Sequence, residues 1–345
     1  MAIVEHAMAA GWSLGRICGV LELDRARLWR WRARAAEGRL DDLRPGGNPL
    51  HALLDWEVEE ILALAEEWGP VDRSHRKLAH RGSYLDRVYV SPSTVDRVLA
   101  AHGLVLPRRE RPAPRGRKPW PAWVEYRPNQ VWGWDVTHFG RCRRAPCCFG
   151  IVDLVSRKWI ATLLSAEEST TQARVLFLDA LEAEGLLTGI EERLVRPDAL
   201  VAVDLEDERI PVLLAVSDNG AAMTAHSTRE FMALCSIAQH FGRPGVPTDQ
   251  AHIETLWGHV KTEWPHLTMI DEPAVLGAEL DRVRAEYNGV RLHEAIGYVT
   301  PDDEHEGRGQ RIRQARIEGL ARAAEARKDH RRRTDSDRPE TQPQC

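Results

Sequence analysis

The 345-residue chain has no apolar run long enough to cross a bilayer, which argues against a helical membrane protein. Its first residues lack the basic-then-apolar pattern of a secretory leader, so export is not expected. Six cysteines are scattered along the chain and no CxxC pair occurs. That usage points to reduced thiols and a cytoplasmic protein rather than a disulfide framework. No phosphate-cradling loop is evident, so no nucleotide cofactor is expected. No convincing internal repeat is found.

What is present is a globular balance, with 43% hydrophobic and 29% charged residues. The length suits two or three domains. The net charge of −5 hides an asymmetry: residues 1–119 carry +4, residues 120–304 carry −13 and residues 305–345 carry +4. Basic arms suit a polyanionic partner such as nucleic acid, although charge runs are also ordinary solvated faces. An acidic centre in a nucleic-acid protein needs a reason, and carboxylates that hold divalent metal supply one.

The pattern divides the chain at its breakers. Residues 1–48 read as short helices. Ser13 and Asp24 are placed as caps, and the second helix carries Arg25, Arg27 and Arg30. A helix-turn-helix with these arginines facing DNA accounts for the segment, and so does a small helical hairpin with a basic face. Leu28 and Trp31 would face its core. Pro45-Gly46-Gly47-Asn48-Pro49 is a boundary. Residues 49–106 read as a second helix-turn-helix-like unit, with helices near 53–68 and 75–80 and a last one from Ser91 to Gly103.

Residues 107–121 form a basic, proline-rich linker. Arg108, Arg109, Arg115, Arg117 and Lys118 could follow a phosphate backbone there, or the segment could be a solubilising hinge. Beyond it the period changes. Strands are predicted at 131–136, 148–154, 158–165 and 212–217, and helices near 168–184, 227–237, 249–263 and 272–288. Strands followed by alternating strand and helix predict a mixed α/β layer over 122–301. Residues 302–345 read as a basic, partly disordered tail, with Arg311, Arg313, Arg316, Arg322 and Arg327 of 308–333 in a helix-friendly context that could touch DNA or a partner subunit, or fray as a polar tail.

Three acids stand out. Asp135 lies on the first strand, on the face of Val131 and Gly133 and opposite Trp132 and Trp134. Asp218 closes a later strand beside a turn-forming Asn-Gly pair. Glu254 lies on a helix seven residues before Lys261, two turns away on the same face. Two Mg²⁺ ions held by such carboxylates could activate a nucleophile and stabilise a leaving oxygen at a phosphodiester. Lys261 could hold a DNA phosphate. Taken singly, each acid is more often a turn or surface residue.

Together they resemble a family. Asp218 and Glu254 are separated by 35 residues, the spacing of the DD(35)E transposases and integrases. Pro128-Asn129-Gln130-Val131-Trp132 before Asp135, with Thr137 after it, resembles the opening of the catalytic core in bacterial insertion-sequence transposases. Ser217-Asp218-Asn219-Gly220 resembles the second-aspartate motif. Ala251-His252-Ile253-Glu254-Thr255 with Lys261-Thr262-Glu263 resembles the glutamate helix. Tyr287-Asn288, Arg291, His293 and Thr300-Pro301 resemble the closing segment.

The resemblance implies a ribonuclease H-like core with a five-stranded mixed sheet, preceded by helical DNA-binding units. It implies a metal triad of Asp135, Asp218 and Glu254 holding two Mg²⁺ ions, with Mn²⁺ as a substitute, and Lys261 near the donor DNA end. It further implies cleavage at the element's terminal inverted repeats, strand transfer into target DNA, and a homo-oligomer in the synaptic complex. A cytoplasmic protein that joins the nucleoid on DNA is expected.

There are departures. Gln250 stands where many relatives carry Asn. The first two acids are 82 residues apart in the intervening count, and the surplus is placed in 185–210. That stretch could be a surface loop, a multimer contact, or decay in a non-mobile copy.

Cys142, Cys147, Cys148 and His138 invite a zinc reading, but adjacent cysteines alternate across a strand and cannot both face one ion. A domesticated transposase acting as a DNA-binding regulator and a plain metal nuclease of the same fold are the alternatives to a transposase.

Overall fold

The computed structural model describes residues 2–36, 38, 51–104, 120–140, 146–188, 190, 211–241 and 251–336, without the side chains of 251–254, 335 and 336. The expected linker arginines Arg108, Arg109, Arg115 and Arg117 with Lys118, and most of the expected insertion over 185–210, lie outside the described residues. The chain separates into two compact units, Met1–Ala52 and Leu53–Cys345.

The first unit holds helices α1 (Ala2–Ala9), α2 (Leu14–Val20) and α3 (Arg25–Ala36). Ser13 Oγ accepts the Arg16 N–H at 3.3 Å and Asp24 Oδ1 accepts the Arg27 N–H at 2.9 Å. Each thereby satisfies one of the orphan donors that a helix start exposes. The core is small: Val4, Ile17, Cys18 and Leu28, with Ala7, Trp12 and Leu14 packed around them.

The second unit opens with α4 (Asp55–Trp68), α5 (His75–Tyr84) and α6 (Pro92–Ala101). Ser74 and Ser91 cap α5 and α6 through their hydroxyls. Ile61, Leu64, Leu78, Val95 and Leu99 form the apolar centre of this helical bundle.

The sheet follows, with strands β1 (Val131–His138), β2 (Cys147–Asp153), β3 (Trp159–Ser165), β4 (Leu213–Ser217) and β5 (Ile237–Phe241). Their spatial order is β3-β2-β1-β4-β5. β1, β2 and β3 pair antiparallel, while β4 and β5 run parallel to β1. This is the ribonuclease H-like α/β arrangement, and the expected mixed layer is observed.

Period-two alternation divides the core between two faces. Trp132 and Trp134 pack with Leu176 and Phe177 of α7 (Thr170–Ala183), beside the short α8 (Ala221–Thr224) and α9 (His226–Leu234). Val131, Val216 and Trp159 pack on the other face, against α10 (Ala251–Glu263) and α11 (Pro273–Gly289).

One expectation is corrected. The helix placed at 227–237 ends at Leu234, and Ile237 begins strand β5. Ser236, at φ 54°, turns the chain between them. Only Ile237 of this strand is buried, and Gln239 and His240 interrupt its apolar character.

The tail placed at 302–345 is helical over most of its length, as α12 (Pro301–His305) and α13 (Gly309–Ser336). The inner face of α13 carries arginines rather than aliphatics. Arg327 forms a two-pronged bond with the buried Glu57 of α4, at 2.8 to 3.0 Å. Arg316 donates to the Gly297 and Tyr298 carbonyls at 2.9 Å and to Ser83 Oγ at 3.0 Å. Gly319 lies so close to Tyr89 that a Cβ there would sit 2.0 Å from its ring.

Candidate active site at the strand ends

The site is built where β4 ends beside the middle of β1. Their parallel register pairs Gly133 with Val216. Two residues further along each chain stand Asp135 and Asp218. Neighbouring strands lie about 4.8 Å apart, so the two acids occupy adjacent positions near the middle of the sheet. Both are half-buried.

Asp218 is held by its own turn. Its Oδ1 accepts the Gly220 N–H at 2.8 Å. A Cβ on Gly220 would sit 2.9 Å from that same oxygen and 2.7 Å from Met223 Sδ, so glycine admits the close approach. Hydrogen-bonding Asp side chains to a backbone N–H two residues on is a recurrent turn device.

Helix α10 lies across the sheet face that carries Asp135. Leu256, Trp257 and Val260 insert among Val131, Phe139 and Val216. The Trp257 indole meets Trp159 and Phe139 edge-on, at centroid distances of 5.4 and 6.0 Å. It also covers Gly150, the residue paired with Asp135 across β1 and β2. A Cβ on Gly150 would stand 2.5 Å from the Trp257 ring. Trp257 is thus a packing residue, and the bare backbone opposite Asp135 sets how closely α10 approaches.

With that stripe facing the sheet, residues 254 and 261 share one flank of the helix. Lys261 Nζ donates to Thr137 Oγ1 at 2.6 Å. Thr137 is two residues beyond Asp135 on β1, hence on the same face. Burial lowers the Lys261 ammonium from its ordinary range, while Cys148 and Asp135 act in the opposite direction. The ammonium therefore lies within electrostatic reach of the Asp135 carboxylate. The Glu254 backbone lies in the first turn of α10, and its side chain is outside the described residues.

Among the described residues no group of three or more His, Cys, Asp or Glu side chains is arranged to hold a metal. The adjacent acids Asp135 and Asp218 offer the hard oxygen donors that Mg²⁺ requires, so this donor set fits a divalent ion, with residue 254 on the neighbouring helix.

The zinc reading fails on geometry. Cys147 Sγ lies 3.4 Å from His138 Nε2, but Cys147 and Cys148 belong to the cores on opposite faces of the sheet. Burial pushes both thiols up. Cys142 is outside the described residues.

Of the expected DNA contacts, Arg25, Arg27 and Arg30 are exposed on α3, while Leu28 is buried and Trp31 half-buried. Arg27 stacks on the Trp31 ring at 5.3 Å. Trp29, 72% exposed on the same helix, was not singled out by the sequence pattern. Gly150 was also missed, and Thr137 was named only within a motif, without a role in the site. Their signals were present: Thr137 is the next same-face position after Asp135, and glycine inside a strand marks a close approach.

The sequence matches two family models, each described as an integrase core domain, over residues 125–247 and 235–301. The chain belongs to the DDE transposase and integrase superfamily, and its function is of the DNA-integration and transposition type.

No curated protein matches it. Among solved structures it is similar to the HTLV-2 integrase catalytic core domain in complex with magnesium, at 19% identity over 52% of this chain and 97% of that one, with TM-score 0.36. It is similar to the catalytic core domain of BIV integrase at 19% identity, over 53% and 98% of the two chains, with TM-score 0.36. A simian T-cell lymphotropic virus intasome in complex with PP2A regulatory subunit B56 gamma gives 17% identity, 71% and 74% coverage and TM-score 0.39.

Proposed function

We propose that this protein is a DNA transposase that cuts at the terminal repeats of a mobile element and transfers the resulting 3′ ends into target DNA. The observation that carries this reading is the convergence on the two central strands β1 and β4. Asp135 lies within β1 and Asp218 directly follows the adjacent parallel β4, and α10 crosses the Asp135 face with Lys261 bonded to Thr137.

Asp135, Asp218 and Glu254 would hold two Mg²⁺ ions, or Mn²⁺ in their place. The ions would supply Lewis-acid stabilisation of charge at the reacting phosphate. The chain's own contribution is placement. Gly220 and the Asp218 turn hold one carboxylate still, and the seat of Trp257 on Gly150 sets the height of α10 over the sheet. Lys261 keeps a cation beside Asp135, where it can receive a phosphate oxygen of the donor DNA end. The packed indoles of Trp257 and Trp159 exclude water from the floor beneath.

Exposed Arg25, Arg27 and Arg30 of α3 are suited to phosphate and groove contacts at the terminal repeats. Joining two DNA ends calls for more than one copy of the chain, so a homo-oligomeric complex on DNA is part of the proposal.

The test is strand joining. Purified protein is incubated with Mg²⁺ or Mn²⁺, a labelled end from the DNA flanking its gene, and a supercoiled plasmid. Asp135→Asn and Glu254→Gln run in parallel. Joined product that disappears in both variants is expected. Nicking without joining would replace the reading with a nuclease. End binding that Asp135→Asn leaves unchanged, with no metal-dependent product, would replace it with a DNA-binding regulator.

A further inference from the structure

On the flank of α10 away from residue 254 lies a second polar cluster. Glu263 follows residue 254 by nine positions, half a turn out of phase around the helix. Arg291, just beyond α11, grips it with two prongs: Nε to Oε2 and Nη2 to Oε1, both at 2.8 Å. Its third nitrogen, Nη1, donates to the His293 ring at 2.8 Å. His293 is buried, and burial first, then the neighbouring Arg291 charge, holds it well below the ordinary histidine range, so the ring is a neutral acceptor.

Burial works against the Glu263 charge, but the bonds from Arg291 and His259 outweigh it and keep the carboxylate well below its usual range. A bidentate guanidinium–carboxylate pair fixes orientation as well as distance.

The fork is anchored to the sheet. Asn288, at the end of α11, accepts the Trp159 N–H of β3 at 2.8 Å and donates to the Trp159 carbonyl at 3.0 Å. Arg291 therefore carries the frame of the sheet to the C-terminal end of α10. From the other side, Lys77 of α5 stands within electrostatic reach of both Arg291 and Glu263. Arg81 of α5 bonds Asp72 at 2.7 Å and the Val290 carbonyl at 2.7 Å. The α4–α6 bundle thus abuts the same joint.

We propose that Arg291 is a positioning residue for the reaction: its fork on Glu263 sets the tilt of α10, and so the placement of residue 254 against Asp135 and Asp218. The inference rests on the transposase reading of α10. Trp257, seated on Gly150, is the fulcrum. Residue 254 lies about 4.5 Å from it along the axis and Glu263 about 9 Å, at 1.5 Å rise per residue. A shift of about 1 Å at the fork becomes about 0.5 Å at residue 254, the tolerance within which a catalytic group must be held.

The experiment compares Glu263→Gln, Arg291→Lys and the control Glu254→Gln in full-length protein. Strand joining is resolved into kcat and KM for the DNA end, and hydrogen exchange is followed along α10. A tenfold or greater fall in kcat with KM unchanged is expected for Glu263→Gln and Arg291→Lys. Lysine keeps the charge without the fork, so it should not restore the rate. The amides of 255–258 should exchange at least tenfold faster while those of β1 and β4 keep their rates.

Wild-type kcat and wild-type exchange in α10 in either variant, beside an inactive Glu254→Gln, would overturn the positioning role and leave the transposase reading standing. Faster exchange throughout the sheet would overturn it in favour of general stability. An active Glu254→Gln would overturn the reading on which it rests. Should Arg291→Lys fail to fold, Glu263→Gln, at a half-exposed site, carries the same test.

Discussion

Gly150 has no side chain, and the Trp257 indole occupies the space where one would project. Alanine there meets a ring wedged between Trp159 and Phe139. Overpacking of this kind costs about 1–3 kcal/mol. Gly150→Ala is therefore expected to lower the unfolding free energy by that amount in a denaturant titration, and to reduce strand joining more than DNA binding.

Glu184 gives a pH prediction at the same scale. Burial alone would raise its pKa, but bonds from His305, Lys158 and Asn129 together bring it down to about 2. The folded value lies below the ordinary 4.5, so the stabilisation is complete above that value and is lost as pH falls toward about 2. The stability difference between wild type and Glu184→Gln should shrink steadily over this window, measured by thermal melts at successive pH values.

Among the elements, α13 departs furthest from its sequence signature. Its packed positions include Arg316, Gly319 and Arg327, so no apolar stripe announces a buried face. The helix is held by the Arg327–Glu57 ion pair and the Arg316–Ser83 hydroxyl bond, whose partners lie more than two hundred residues away in sequence. Such partners are invisible to local patterning. Strand β5 escaped for a different reason: Gln239 and His240 interrupt it and only Ile237 is buried, whereas the equally short β4 is a continuous buried apolar run. By contrast β1 to β4 and the Ser13, Asp24 and Ser91 caps were legible, because alternation and capping are local signals.

The strand-end acids were legible as candidates, since the motif words around them are local. Their adjacency was not, because it depends on the register of β1 with β4. At this scale the Arg327–Glu57 pair is the point to test. Breaking a buried pair from one side leaves an uncompensated charge, at about 3–5 kcal/mol. Arg327→Met is expected to destabilise by that amount. The double variant Glu57→Leu with Arg327→Met should recover only part, because Glu57 also accepts the Leu54 N–H at 2.8 Å.

At the scale of the molecule, the sheet and the α4–α6 helices share one compact unit, while residues 1–52 form another. The second unit contains three of the hydrophobic clusters and the first only the small one around Ile17 and Leu28. A fragment spanning 53–345 is therefore expected to melt at the same temperature as the whole chain in calorimetry. A drop of more than a few degrees would show that the two units stabilise each other.

The reach of α13 back to α4 has a consequence for the gene. The carboxylate of Glu57 is made early in translation and remains without its partner until codon 327 is read. A nonsense or frameshift mutation after Glu254 and before Arg327 would yield a chain with Asp135, Asp218 and Glu254 in place and a bare buried charge in its helical bundle. Such products should be cleared by cellular proteases rather than persist as DNA-bound competitors. In the proposed transposase, such clearance would remove truncated copies before they could enter a multimeric complex.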